Sequence, residues 1–306
     1  MAGFSRSALF VPAGNARAMA KTVTLDTDAI IVDLEDSVAP PNKERARAAA
    51  LKAMLKAPWK TPLRAVRINA LTTPWGEADV LALAPSGADA LVVPKVESAA
   101  DLRQVRALVH RAVGFAAAPQ PRLWAMVETP RGVLQLEKIT ACAAEVGLDT
   151  LVFGTNDLAA ALHCDAGADH REALLAHLCR LVLVARAYGL RALDGVYNAF
   201  EDDEGFAAQA RQGKALGFDG KTLIHPAQIA AANAIFGPGD EQIRQARAIV
   251  RAFALKKNAG KGVLCVNGQM VERLHLHAAQ ALLDSLPASA AQPRRRKGSA
   301  KRKTAS

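Results

Sequence analysis

Short apolar runs alternate along this chain with longer stretches in which apolar residues recur every three or four positions. Eight runs stand out: Ala8–Val11, Ala29–Asp33, Ala65–Asn69, Ala90–Pro94, Leu123–Val127, Thr150–Phe153, Ala192–Val196 and Gly220–Ile224. Several are apolar at consecutive positions, the pattern of strands covered on both faces in a parallel sheet. Between them lie helical patterns. Asn42–Leu55 sets Leu51, Met54 and Leu55 against a polar side with Lys43, Glu44, Arg45 and Arg47. Ser98 reads as an N-cap before Leu102, Val105, Leu108, Val109 and Val113 at helical spacing. His170–Tyr188 is apolar on one face and stops at Gly189, and Ala227–Phe236 stops at Gly237-Pro238.

Eight strands, each followed by a helix, predict an α/β fold of the closed (β/α)8 or TIM-barrel type over residues 1–236. An open doubly wound sheet is the alternative, but no GxGxxG opens the helix after the first strand. The chain then continues. Gly239–Lys256 has Ile243, Ala246, Ile249, Val250 and Phe253 on one helical face, a glycine-rich turn spans Asn258–Gly262, Val263–Val266 is extended, and Gln269–Leu286 reads as a final helix. This C-terminal helical extension, residues 237–286, is more than a barrel needs. It is expected to cap the barrel or to reach a neighbouring subunit.

Composition changes the picture in one respect. The 306 residues are 51% hydrophobic and 22% charged, which supports one large core, and the net charge of +10 suggests a nucleic-acid partner until it is located. Seven cations fall between Arg294 and Lys303, so the body carries only +3. The tail 287–306, opened by a Pro/Ala/Ser/Gln linker, is expected to be disordered, and nucleic acid is an unlikely partner. A polyanion-binding role for this tail is the competing function of another class, and it would weaken with salt. Cys142, Cys164, Cys179 and Cys265 form no CxxC pair or zinc spacing, which fits reduced thiols in a cytoplasmic protein. No segment has the length of a signal peptide or membrane span, so no membrane partner is expected.

The informative charges stand at the ends of the predicted strands. Glu35 and Asp36 follow the second strand, Arg67 lies near the end of the third, and Lys95 and Glu97 follow the fourth. Glu128 follows the fifth, Gly154-Thr155-Asn156-Asp157 the sixth, Asp194 lies in the seventh, and His225 follows the eighth. In a parallel barrel all of these ends share one rim. Carboxylates gathered with one or two cations suit a hard divalent ion, and Mg2+ needs only one or two protein carboxylates beside water and substrate. Glu128 and Asp157, on adjacent strands, are the expected metal ligands. Glu35 and Asp36 are expected to hold metal-bound water. Backbone N–H groups at Gly154, Thr155 and Asn156 can hold a carboxylate.

With these residues in place the chain resembles the citrate lyase beta-subunit-like group of the HpcH/HpaI aldolase family, which includes malyl-CoA and citramalyl-CoA lyases. The matching segments are Arg6–Gly14, Ala29–Pro40, Arg67–Ala70, Thr73–Asp79, Gly87–Ser98, Trp124–Val133, Phe153–Leu158, Ala192–Tyr197 and Gly213–Gln228, with a further likeness over Gly262–Ala281. The resemblance implies a barrel enzyme in which Glu128 and Asp157 bind Mg2+ and the substrate lies against them, with Arg67 contacting it. It implies a homo-oligomer, a trimer or hexamer. It also implies that an acid in the Gly268-Gln269-Met270-Val271-Glu272 segment, here Glu272 where many relatives have aspartate, serves a neighbouring subunit as a proton-transfer group. The activity implied is carbon–carbon cleavage of a 3-hydroxyacyl-CoA thioester into a keto acid and an acyl-CoA, or its reverse. The alternative within the family is a citrate lyase subunit acting on an acyl-carrier thioester. Arg17 and Lys21 are candidate CoA contacts.

Overall fold

The structure, a computed structural model, describes residues 6–55, 59–114, 119–165 and 171–284. The chain divides into two compact units, one running to Gly237 and the other from Pro238. The first is a closed parallel barrel of eight strands: β1 Ser7–Pro12, β2 Ala29–Asp33, β3 Leu63–Arg67, β4 Ala90–Val93, β5 Arg122–Val127, β6 Leu148–Phe153, β7 Arg191–Asp194 and β8 Gly220–Leu223. It closes because β1 pairs with both β2 and β8. Helices follow the strands, as expected, among them Lys43–Leu55, Ala99–Val113, Leu175–Ala187 and Gln228–Phe236. Ser98 caps the second of these in a reciprocal box with Asp101.

Side chains alternate across each strand, and the alternation decides what the barrel encloses. Ala8, Ala29, Ile31, Ala65, Ala90, Val92, Trp124, Met126, Val152 and Leu193 point inward and form the interior cluster. Four alanines in this layer leave room for the fully buried Trp124. The other parity, including Leu9, Ile30, Val66, Leu91, Leu123, Leu151 and Ala192, packs outward beneath the helices.

Five of the eight strands begin one or two residues before the apolar runs. Arg64 and Arg191, just before the runs Ala65–Asn69 and Ala192–Val196, belong to strands, and β3 and β7 end sooner, at Arg67 and Asp194. The polar starts are satisfied by a ring of aspartates at the end of the barrel where the strands begin. Asp28, just before β2, accepts the backbone N–H of Arg6 at 2.8 Å. Asp89, before β4, accepts that of Arg64 at 2.8 Å, and Asp219, before β8, that of Ala192 at 2.8 Å. Asp149, in β6, accepts from Arg191 Nη2 at 2.7 Å.

The second unit contains the helix Asp240–Ala254, a hairpin of β9 Val263–Val266 and β10 Gln269–Glu272, and the helix Arg273–Asp284. The expectation of one helix from Gln269 is corrected here: its first four residues form a strand. The cause is local. Asn267 and Gly268 both take positive φ, +51° and +78°, the requirement of a tight two-residue hairpin turn. The tail 287–306 lies outside the described residues, as does the expected helix start at His170.

Asp194 corrects a second expectation. It has outward parity, is fully buried beneath the helices, and does not reach the mouth with the other strand-end charges. Its carboxylate takes a two-pronged bond from Arg171 and one from Lys221 Nζ at 3.1 Å. Lys221 also donates to Gly195 O and to Gln209 Oε1, and its burial pushes the ammonium down to about 8. Removing the one acid between two buried cations leaves both uncompensated. Asp194→Ala is therefore expected to lose roughly 3–5 kcal/mol of stability, read as a lower urea midpoint at unchanged slope.

Candidate active site

The inward parity continues one step past the interior cluster and there becomes polar. Asp33 follows Ile31, Arg67 follows Ala65, Glu128 follows Met126, and Gly154 follows Val152. These positions open into a cavity of about 410 Å³ at the ends of the strands. Asp36, Thr155, Asn156 and Asp157 complete its polar wall, and Phe10, Met126, Val196 and Ile224 its apolar one.

Arg67 is buried at the base, its guanidinium carbon 4.8 Å from the Phe10 ring centroid. Nε and Nη2 each donate to Asp33 at 2.7 Å, and Nη1 donates to Asp36 Oδ2 at 3.1 Å. Nη1 also stands 2.9 Å from Glu35 Oε2, off the hydrogen-bond direction, so that oxygen has an ion contact and no directed bond. Three of the five N–H groups are thus spent on carboxylates, and Nη1 also lies 4.0 Å from Met126 Sδ. Burial pushes Asp33 upward, but the bonds from Arg67 outweigh it and hold the carboxyl below its usual range. At Glu35 burial wins over the nearby cations, and its carboxyl is held above the usual range.

The loop carrying Glu35 is fixed from beneath by Lys43. This residue stands among the polar positions of its helix, yet it is buried, and its Nζ donates to Leu34 O, Glu35 O and Asn69 Oδ1 at 2.9, 2.7 and 2.6 Å. Asn69 is held in turn by Asp79, which accepts from its side chain at 2.7 Å.

Glu128 is 2% exposed. Burial, then repulsion from Glu35 and Asp157, pushes it up to about 7, against the N–H of Lys95, which donates to Oε1 at 2.7 Å. Gly154 makes room for this side chain: a Cβ there would stand 2.4 Å from Glu128 Cβ and 2.5 Å from Oε2. Gly154 leads straight into the helix Thr155–Leu162, whose first turn carries Asp157. Thr155 Oγ1 is buried with no hydrogen-bond partner among the described residues. Asn156 and Asn198 exchange side-chain amide bonds across the mouth.

The structure therefore gathers Arg67, Glu35, Asp36, Glu128, Gly154, Thr155, Asn156 and Asp157 in one place. It leaves out Asp194, and also Glu97, which stands 4.0 Å from Arg131. His225 lies against Phe200, ring centroids 5.0 Å apart. Glu272 ends β10 in the second unit, where its N–H donates to His275 Nδ1 at 2.9 Å. Arg17 and Lys21 are exposed on the helix Ala16–Lys21. Asp33 and Lys43 were missed. The signal for Asp33 was available, since its parity matches Ala29 and Ile31; Lys43 gave none.

Among the described residues no three acids, histidines or cysteines converge as a ready-made metal cage. Two hard oxygen donors, Glu128 and Asp157, do share the cavity. Two carboxylates are enough for Mg2+, which keeps water and substrate as its other ligands. The space that Gly154 leaves at Glu128 Oε2 and the crowding of acids that lifts Glu128 both fit a bound cation.

Comparison with known proteins places the barrel that carries this cavity in a family. The family model for HpcH/HpaI aldolase/citrate lyase matches residues 6–226, the barrel almost entire. A (3S)-malyl-CoA thioesterase of Cereibacter sphaeroides is 44% identical over 286 residues, covering 94% of this chain and 96% of its own. An L-malyl-CoA/beta-methylmalyl-CoA lyase of Rhodobacter capsulatus is 34% identical, covering 92% and 94%. Among solved structures, the CitE protein of Mycobacterium tuberculosis in complex with magnesium, acetoacetate and coenzyme A superposes with a TM-score of 0.68 at 31% identity, covering 93% of this chain and 98% of that one. A barrel matched from its first strand to past its last, with such relatives along most of its length, makes this chain a member of the HpcH/HpaI aldolase/citrate lyase family.

Proposed function

We propose that this protein is a Mg2+-dependent carbon–carbon lyase that cleaves a 3-hydroxyacyl-CoA such as malyl-CoA or citramalyl-CoA into a keto acid and an acyl-CoA, or joins them. One observation carries the reading: a buried, pinned guanidinium and two hard carboxylate donors line the same cavity. Glu128 and Asp157 would hold the ion, with Glu35 and Asp36 beside its waters. When bound, Mg2+ supplies Lewis acidity at the keto fragment's oxygen. Arg67 offers a fixed cation to the negative charge that develops on the thioester oxygen, and Asp33 keeps that cation from reorienting. Thr155 Oγ1 and the N–H groups that open its helix receive the substrate carboxylate. Glu272 moves the proton at the thioester carbon from a neighbouring copy in a trimer or hexamer. The four unpaired cysteines, together with the lack of any helix among the described residues long and apolar enough to cross a membrane, support a cytoplasmic setting.

A second reading, hydrolysis of the same thioester, is favoured by the name of the relatives 44% identical to this chain. A third, action on a carrier-bound acyl group, is favoured by the citrate lyase beta subunit of Escherichia coli, 33% identical over 270 residues. The products separate them. Malyl-CoA and citramalyl-CoA incubated with Mg2+ are expected to yield keto acid and acyl-CoA; hydroxy acid and free CoA thiol would establish hydrolysis, and turnover confined to the carrier-bound substrate the third reading. Chelation, Glu128→Ala and Asp157→Ala are each expected to cut turnover by about a hundredfold or more, on the scale of lost electrostatic stabilisation, with the fold intact by circular dichroism. Undiminished turnover in excess chelator would overturn the metal assignment.

The position of Glu128 also sets a pH dependence. Its carboxyl titrates at about 7 in the metal-free fold against an ordinary 4.5. The folded state therefore binds this proton more tightly, and the stability it contributes is full below 4.5 and lost as pH rises through 7. The loss is on the order of 3 kcal/mol. Glu128→Gln removes the titration, so the metal-free variant is expected to melt several degrees above wild type at pH 8 and close to it at pH 5. Equal offsets at both pH values would contradict the assignment.

A further inference from the structure

Lys95 follows β4 closely and holds a φ of +51°, a region that a lysine enters only where its surroundings enforce it. That backbone lets one residue face two acids. Its N–H donates to Glu128 Oε1 at 2.7 Å, and its ammonium donates to Glu35 Oε1 at 2.5 Å. The ammonium also stands 3.7 Å from Asp36 Oδ1 and 3.7 Å from Asp157 Oδ2. Glu35 and Asp36 come from the loop after β2, whereas Asp157 comes from the helix after β6, on the far side of the ring. One cation thus stands between acids from opposite sides of the mouth. Arg67 cannot take this place, because its fork is fixed on Asp33.

We propose that Lys95 is the internal counter-ion of the metal-free site, a positioning residue that holds Glu35, Asp36 and Asp157 together and weakens the grip of the site on Mg2+. The proposal rests on Glu128 and Asp157 being the metal ligands. The physical reason is charge. A cation 3.7 Å from a ligand carboxylate offsets part of the attraction that the carboxylate has for an incoming ion, and the half-exposed setting of this side chain leaves that effect only partly screened. The ion is then held loosely until an anionic substrate adds negative charge of its own. Metal and substrate are bound best together.

The test is a calorimetric titration of metal-free protein with MgCl2, comparing wild type with Lys95→Met, Lys95→Gly and Lys95→Arg. Glycine accepts the positive φ without strain and keeps the N–H to Glu128, so it isolates the side chain. Both Lys95→Met and Lys95→Gly are expected to bind Mg2+ about tenfold more tightly, and Lys95→Arg like wild type. Without Mg2+ the Met variant is expected to melt below wild type, and with saturating Mg2+ to recover most of the difference. A merely structural role would loosen the metal and lower both melting points alike. Should wild type bind Mg2+ and the Met and Gly variants bind it no more tightly, the role given to Lys95 is overturned and the metal assignment stands. Should wild type fail to bind Mg2+ at all, the metal assignment itself is lost and this role with it.

Discussion

Glu128 is buried within reach of the charges of Glu35 and Asp157, and the cost of keeping those carboxylates together governs the rest of the mouth. Nothing about a barrel requires such crowding. Acids on neighbouring strands repel, and burial makes the repulsion larger. The surroundings read as answers to it. Arg67 lies among Asp33, Glu35 and Asp36, and the Lys95 ammonium among Glu35, Asp36 and Asp157. A peptide N–H, already oriented, meets Glu128, and a glycine clears the space beside it. A divalent ion held by Glu128 and Asp157, as proposed, would complete the same neutralisation.

Much of this could be read from the chain because barrel strands carry a period of two. Once Ile31, Ala65, Met126 and Val152 are placed inward, the next inward residues are Asp33, Arg67, Glu128 and Gly154, three of them charged in otherwise apolar surroundings. The eight strands were legible as short apolar runs, and the convergence of distant acids came from a reading of the strand ends alone. It fails where parity was not applied. Asp194 is as charged and as near a strand end as Glu128, but it lies on the outward set with Ala192 and meets Arg171 and Lys221 instead. Lys43 was hidden for another reason: on a helix with arginines close by, nothing marks one lysine as the residue that turns inward to hold a loop. In the second unit the Asn267-Gly268 pair was a legible hairpin signal, and the apolar spacing that follows it led the helix four residues too far back.

The two ends of the barrel carry different burdens. The mouth concentrates groups whose charges are poorly matched, which chemistry requires and stability does not favour. The opposite end is built of aspartates each matched to a partner, and the zone beneath the outer helices holds the Arg171–Asp194–Lys221 cluster. Strong local matching away from the mouth is what allows imperfect matching within it.

The aspartate ring has a consequence at long range. A strand that slid by one residue against its neighbour would turn its whole inner face outward, and Arg67 would exchange the cavity for the space beneath the helices. Asp89 resists that slide by gripping the peptide nitrogen of Arg64, three residues before Arg67, at the far end of the same strand. The aim of the guanidinium is thus secured at the end of the barrel away from the cavity, and an alteration at Asp89 would be felt as a loss of alignment at the opposite end of the strand.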